Sequence, residues 1–123
     1  MPGFAGSGIS KRTVTTPFTG ATAILAATAR IAPGVPFRLL GVRMHLSAAG
    51  TTTENFTVTC NAGDGSAYDV ILLKRDLSVG SVVDLVWSPT GKQHIYEADD
   101  VIEVAWTNTE LRTYGLVILH EVL

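Results

Sequence analysis

The stretch "FRLLGVRMHLS", residues 37–47, alternates regularly between two sets of side chains. One face of such a strand would carry Leu40, Val42, Met44 and Leu46, and the other would carry Leu39, Gly41, Arg43 and His45. A period of two residues is typical of a half-buried β-strand, because successive side chains point to opposite faces of a sheet. The stretch therefore predicts a strand, and no part of the chain shows strong helical periodicity.

Further short strands are predicted along the chain, separated by turn signals every roughly eight to twelve residues. They are residues 27–31, "NFTVTC" (55–60), "YDVILLK" (68–74), "VVDLVW" (82–87), "KQHIY" (92–96), "DVIEVAW" (100–106) and "RTYGLVILHEV" (112–122). "YDVILLK" is almost continuously apolar, which favours a central strand covered on both sides, and "TNTE" (107–110) is interpreted as a hairpin-type loop. The predicted fold class is all-β: an antiparallel β-sandwich or jelly roll of about eight strands, with an extended N-terminal arm.

The chain is divided into an N-terminal arm, residues 1–20, and a single β-sandwich domain, residues 21–123. The arm is rich in glycine, serine, threonine and proline, which disfavours a packed helix. Two interpretations of such a segment are open: a frayed terminus, or an arm that docks on a neighbouring subunit, since isolated apolar side chains need a partner surface. The predicted interface residues are Phe4, Ile9, Lys11, Arg12 and Phe18.

The composition indicates a protein that associates with other proteins. Hydrophobic residues make up 46% of the chain and charged residues only 16%, against about 25% charged residues in an average soluble domain. So little charge favours an oligomer or an assembly component. The formal net charge of −2 argues against a nucleic-acid partner, which would require a basic face.

The chain is also expected to be soluble and to have no membrane partner. No apolar run approaches the roughly 18 residues needed to cross a bilayer, and the first residues lack the apolar core of a secretion signal. Cys60 is the only cysteine, which excludes an intrachain disulfide and a thiolate metal cluster. We interpret Cys60 as a small core residue.

The stretch "YEADDVIEVAW", residues 96–106, contains four carboxylates, at Glu97, Asp99, Asp100 and Glu103. Their spacing matches no calcium-binding loop, because the alternating acids and central glycine of an EF-hand are missing. Two adjacent acids before an apolar strand are typical of a turn whose carboxylates bind nearby backbone amides. We therefore interpret the stretch as the entrance to a strand.

Other candidate ligands also lack a functional pattern. The loop "NAGDGSAYD" offers oxygens at Asn61, Asp64, Ser66 and Asp69, but a plain turn fits the spacing better than a calcium site. The histidines, residues 45, 94 and 120, lie on separate predicted strands without the short spacing of a zinc motif. Trp87 and Trp106 end strands and are interpreted as core or rim residues, although a carbohydrate platform also uses aromatic side chains.

The second half of the chain resembles small structural proteins encoded among the head and tail genes of tailed bacteriophages. The resemblance rests on the strands "AYDVILL" and "DLVW", the stretch "DDVIEVAWTN" and the closing "TYGLVIL", and it covers about residues 37–121. Such proteins are often jelly-roll domains that decorate or cement the capsid as trimers. The resemblance implies no catalytic residues.

The expected function is therefore that of a capsid decoration protein, a non-enzymatic component of the virion assembled in the host cytoplasm. Its expected partners are other copies of itself, in a homotrimer, and the major capsid protein or another virion protein; no cofactor or metal is expected. One alternative is a tail- or fibre-associated or carbohydrate-binding jelly-roll module. Another, a cupin-like enzyme, is disfavoured because the chain lacks closely spaced histidines.

Overall fold

Two four-stranded antiparallel sheets make up the protein in a computed structural model that describes residues 12–89 and 95–123. The strands are β1 (Arg12–Gly20), β2 (Arg30–Ile31), β3 (Phe37–Leu46), β4 (Asn55–Asn61), β5 (Val70–Asp76), β6 (Asp84–Trp87), β7 (Val101–Ala105) and β8 (Tyr114–Val122). A short 3₁₀ turn, Ser66–Tyr68, lies between β4 and β5. Within these two ranges, no helix has the length and apolar character that crossing a lipid bilayer requires.

The strand order is that of a jelly roll. The first sheet has the order β1-β8-β3-β6 and the second has the order β2-β7-β4-β5. The chain pairs with itself like one long hairpin whose tip is the β4–β5 turn. The antiparallel pairs of this hairpin are β1–β8, β2–β7, β3–β6 and β4–β5. Rolling this hairpin adds the pairs β3–β8 and β4–β7 and gives two sheets with their apolar faces together. The predicted all-β sandwich is confirmed.

The core consists of the side chains that alternate inward from both sheets. Its fully buried members include Phe37, Phe56, Ile102, Leu116 and Ile118. Burying one such side chain contributes about 1.5–3 kcal/mol relative to leaving it exposed. Along β4, β7 and β8, buried side chains alternate with more exposed ones, as expected of strands with one face in the core.

A β-bulge corrects the predicted faces of β3. The pairing of β3 with β8 shifts between Leu39 and Gly41, which leaves Leu40 without a partner. The bulge reverses the alternation at this point, so Leu39 is buried in the core and Leu40 is only half-buried. The predicted assignment of these two leucines was therefore wrong, whereas Val42, Met44 and Leu46 are buried as predicted.

β5 lies at the edge of the second sheet, where it pairs only with β4. The prediction of a central strand covered on both sides was wrong. Val70 and Ile71 are 52% and 58% exposed, and Leu72 and Leu73 are half-buried. A continuous apolar run is expected of a central strand covered on both sides and also of an edge strand with an exposed apolar surface. The sequence pattern therefore did not distinguish these two positions.

The segment 12–20 is extended, as predicted, but it is also part of the sandwich. All nine residues of β1 pair with β8, from Arg12 opposite Val122 to Gly20 opposite Tyr114. The exposed β1 backbone edge forms one side of the first sheet. Residues 1–11 of the predicted arm lie outside the described residues.

Two other predicted segments, one strand and one loop, differ from the structure. In the predicted strand 92–96, residues 92–94 fall outside the described ranges, and Tyr96 forms an isolated bridge with Phe37. The stretch 107–110 joins β7 of the second sheet to β8 of the first, so the hairpin-type interpretation was wrong. The fully buried Asn108 shapes this crossing: its side-chain amide donates to the carbonyls of Thr22 and Arg112 and accepts from the Arg112 amide.

Reciprocal glutamates join the loop 47–54 to the loop 106–113. Glu54 accepts hydrogen bonds from the amide and hydroxyl of Thr109, at 3.0 and 2.7 Å. Glu110 accepts from the amide and hydroxyl of Thr51 and from the Thr52 amide. The Thr51 bonds are the main reason that the pKa of Glu110 falls from 4.5 to about 2.

We predict that Glu110→Gln lowers the melting temperature at neutral pH and matters less in acid. A carboxylate whose pKa is depressed in the folded state stabilises the fold above its unfolded pKa, and this contribution is lost as the pH falls from about 4.5 to about 2. Melting temperatures of the two proteins, measured from pH 7 to pH 2.5, should therefore converge in that interval. Glu97→Gln, at an exposed carboxylate, is the control; a difference between Glu110→Gln and the parent that stays constant with pH would contradict the assignment.

Candidate functional site

Two of the four carboxylates in the stretch 96–106, those of Asp100 and Glu103, make contacts within the fold. Asp100 accepts a hydrogen bond from the Glu97 amide at 2.9 Å and another from the Gly63 amide at 3.0 Å. It therefore closes the turn before β7 and holds the β4–β5 loop against that turn. A Cβ at position 63 would meet the Asp99 carboxylate, so a larger residue there would displace this exposed side chain. Glu103, on β7, lies 3.8 Å from the Arg30 guanidinium.

The oxygen-rich loop 61–69 is also a turn held by its own side chains. Asp69 accepts a hydrogen bond from the Ala62 amide at 2.8 Å, and Gly65 has a φ of 121°. Within residues 12–89 and 95–123, no group of three or more histidine, cysteine, aspartate or glutamate side chains is arranged to hold a metal ion. The geometry in these ranges agrees with the turn interpretation.

The two described histidines lie apart in the first sheet. His45 is opposite Gly115, and His120 lies five residues further along β8. His45 is exposed and contacts the Asp84 carboxylate at 2.6 Å. His120 is buried with its ring edge-on to Phe37, and burial, with a smaller effect of Arg12, lowers its pKa. His94 lies outside the described residues.

The cysteine and the nearest tyrosine are poor nucleophiles in this environment. Burial, followed by the charges of Asp100 and Asp69, raises the pKa of Cys60 to about 11. Burial, followed by Cys60 and Asp100, raises the pKa of Tyr96 to about 12. Both groups are protonated at neutral pH, and a thiol in this state does not attack substrates readily. Cys60 is a buried core residue, as predicted.

A cleft of about 650 Å³ opens at the side of the sandwich where β5 and β6 form the edges of the two sheets. We call it the lateral cleft. Its apolar part includes Tyr68, Val70, Trp87 and Ile95, and the carboxylates of Asp64 and Glu97 line its polar part. The cleft is therefore both apolar and acidic, with aromatic side chains beside carboxylates.

Exposed apolar side chains are concentrated around the lateral cleft. Tyr68, Val70, Ile71 and Ile95 are each more than half exposed, and they are four of the ten large apolar residues that the described part of the chain exposes. Contiguous exposed apolar surface is uncommon on free monomers and marks interaction sites. This side of the sandwich is thus the best candidate for a binding surface.

The outer face of the first sheet is a second, flatter candidate. Pro17, Val117, Arg43 and Val86 form one row across its four strands, and Val86 is 74% exposed. Ion pairs lie on both sides of this row along the strands: His45 with Asp84 at 2.6 Å, and, beyond the Gly41–Leu119 pair, Arg38 with Glu121 at 2.6 Å. Apolar side chains beside an arginine, with ion pairs further out, resemble the anatomy of a protein interface.

The predicted interface residues are only partly placed by the structure. Arg12 is exposed at the start of β1, and Phe18 is half-buried against the core. Phe4, Ile9 and Lys11 lie outside the described residues. Of the two tryptophans, Trp87 lines the lateral cleft, whereas Trp106 is buried.

Sequence reasoning missed the exposed residues in and beside the lateral cleft. Tyr68 and Val70, which line it, and the neighbouring Ile71 belong to the run that was assigned to a covered strand. The sequence contained one signal of an edge: the run ends in Lys74, Arg75 and Asp76, and charged residues are common on edge strands. No known protein-family model matches this chain, and a search of curated proteins found no similar sequence.

We predict that Asp100→Ala destabilises the fold by about 1–2 kcal/mol, because two backbone amides lose a charged acceptor. Asp64→Ala is the matched control, because the Asp64 carboxylate is exposed and accepts no hydrogen bond from the described residues. Urea unfolding measures both. Equal stability of the two variants would mean that Asp100 does not have the structural role assigned to it.

Proposed function

We propose that the protein is a virion structural protein of a tailed bacteriophage, of the capsid decoration type, and that it has no catalytic activity. Copies associate with one another and bridge neighbouring subunits of the major capsid protein. The proposal joins the resemblance described above to the surface properties of the sandwich. It requires no metal or cofactor.

The observation that carries the proposal is the apolar surface around the lateral cleft. In the isolated subunit, Tyr68, Val70, Ile71 and Ile95 are left to solvent at one side of the sandwich. Burying such a surface is favourable by about 25 cal/mol for each Å² removed from water. Only 16% of the residues are charged, so the protein has few charged side chains that would favour leaving this side in contact with water.

The proposed mechanism is mechanical. The sandwich is a rigid unit, because its two sheets share one continuous apolar core. A weak contact between such units is repeated at every symmetry-related position of a capsid, and linked contacts give an avidity far above that of any single one. Stabilisation of the capsid then follows from many small buried areas rather than from one strong site.

We predict that the protein is an oligomer by light scattering, and that it sediments with purified capsids that lack it. Ile71→Asp should shift the oligomer toward the monomer, because association would bury an unpaired charge. Leu111→Asp, at a residue that is 63% exposed in the 106–113 loop, is the matched control and should remain an oligomer. A monomeric parent protein that does not sediment with capsids would contradict the proposed function.

A second candidate function, carbohydrate binding, is favoured by the contents of the lateral cleft. Trp87 and Tyr68 offer aromatic faces on which a sugar ring can stack, and Asp64 and Glu97 offer acceptors for its hydroxyl groups. Aromatic rings beside carboxylates suit a neutral saccharide.

We predict, for this second candidate only, saturable binding of a cell-surface glycan that Trp87→Ala abolishes. Trp87 is half-buried, so a melting curve must first show that the variant is folded. The control is Tyr114→Ala, which removes another half-buried aromatic residue far from the cleft. Binding that survives Trp87→Ala, or is lost equally in both variants, would rule out the cleft as the glycan site.

A further inference from the structure

The lateral cleft is acidic as well as apolar. The carboxylates of Asp64 and Glu97 line it and form no ion pair with any residue that the structure describes, and its lining within residues 12–89 and 95–123 contains no lysine or arginine. Asp69 and Asp99 lie near it, next to the loop that Asp100 holds in place. An occupant of matching chemistry would therefore have apolar side chains for one part of the cleft and cations for the other.

The first eleven residues of this chain have that chemistry. They contain the large apolar side chains Met1, Phe4 and Ile9 and end in Lys11, which precedes Arg12; they contain no aspartate or glutamate. Glycine and serine separate these residues, so the segment can follow the shape of a cleft at low steric cost. The apolar side chains of this segment match the apolar part of the cleft, and its positive charge matches the carboxylates.

Arg12, which follows this segment in the sequence, and the cleft are on opposite sides of the sandwich. Arg12 begins β1 at one edge of the first sheet, and a row of backbone pairs runs from Arg12 through Val122 and Phe37 to Tyr96, which lines the cleft. Three strand spacings of 4.7–4.9 Å give a separation of about 14 Å. Residues 1–11, fully extended, span at most about 36–40 Å.

This placement favours a neighbouring copy over the same copy. To reach the cleft of its own copy, the segment would have to cross about 14 Å of the sandwich, which takes about four extended residues. These are the residues next to Arg12, and they include Ile9 and Lys11. Only the part containing Phe4 would then enter the cleft. If the β1 edge of one copy lies beside the β5–β6 side of the next, Ile9 and Lys11 also reach the cleft.

We propose that the lateral cleft is the docking site for residues 1–11 of a neighbouring copy of this chain. This inference rests on the self-association proposed above and specifies its contacts. Because the two surfaces lie on opposite sides of one subunit, the contact is head-to-tail, and repetition of a head-to-tail contact closes a ring when the rotation permits. Phe4 and Ile9 pack against Val70 and Ile95, while Lys11 lies close to Glu97.

Photo-crosslinking from position 4 of the full-length protein tests the proposal. Phe4 is replaced by benzoylphenylalanine, and equal amounts of this protein and of ¹⁵N-labelled protein are mixed, exchanged and irradiated. Mass spectrometry should find crosslinks between a light and a heavy chain, at residues 60–72, 87–89 and 95–97. Crosslinks confined to one chain, or crosslinks between chains at other surfaces, would overturn the proposal.

Matched variants make the test specific. Val70→Asp should lower the yield of these crosslinks by about tenfold or more, because an unpaired charge opposes apolar docking by more than 1.4 kcal/mol. Leu111→Asp should leave the yield unchanged. Lys11→Glu should lower the yield, and adding Glu97→Lys to that variant should restore it; failure of this charge exchange to restore the crosslink would count against the assigned pairing.

The outcomes separate this inference from the proposed function. An oligomer that forms and binds capsids without crosslinks in the cleft would overturn the docking site and leave the decoration function standing. A monomer by light scattering would overturn the docking site, and a monomer that also fails to sediment with capsids would overturn the proposed function as well. Binding of a saccharide to the cleft of the full-length protein, with no crosslink from position 4, would assign the cleft to the second candidate function.

Discussion

The position of β8 between β1 and β3 is the constraint on which the rest of the structure depends. β8 forms backbone hydrogen bonds along both of its edges, so the last strand of the chain joins the first strand to the third. The inward side chains of β8, Leu116 and Ile118, are fully buried at the centre of the core. Because these pairings connect distant parts of the chain, the loop-closure entropy is large, and we expect folding to be slow. The same pairings bring the row from Arg12 to Tyr96 to one end of the sandwich, where the cleft opens.

The alternation of side chains predicted most of the sandwich, and its failures have local physical causes. β1 was missed because four of its nine residues are threonine and Pro17 lies in its middle, and proline argues against a central strand. An edge strand tolerates proline where its nitrogen faces away from the neighbour. The faces of Leu39 and Leu40 were exchanged because a bulge adds one residue to β3, and such an insertion leaves no trace in the period of the sequence.

The candidate site was likewise predictable from the sequence only in part. The role of Asp100 followed from local chemistry, since a carboxylate before a strand finds backbone amides within a few residues. The lateral cleft did not follow, because its lining comes from the end of β4, from β5 and from the segment around Trp87 and Ile95, which are distant in sequence. They meet only because β5 and β6 are both edge strands at the same side of the sandwich. Edge position is a property of the whole topology, which no single stretch of sequence contains.

The shape of β5 determines the kind of association that its exposed surface permits. An unpaired edge strand with apolar side chains would ordinarily accept further strands, and such growth leads to open fibres. Here the pairing of β5 with β4 shifts opposite Val58 and Thr59, which leaves Leu72 as a bulge, and Lys74 and Arg75 follow it. A bulge and a pair of cations both oppose the addition of a regular strand. Val70 and Ile71 remain available through their side chains, so the apolar surface favours docking of a partner in a defined position over extension of the sheet.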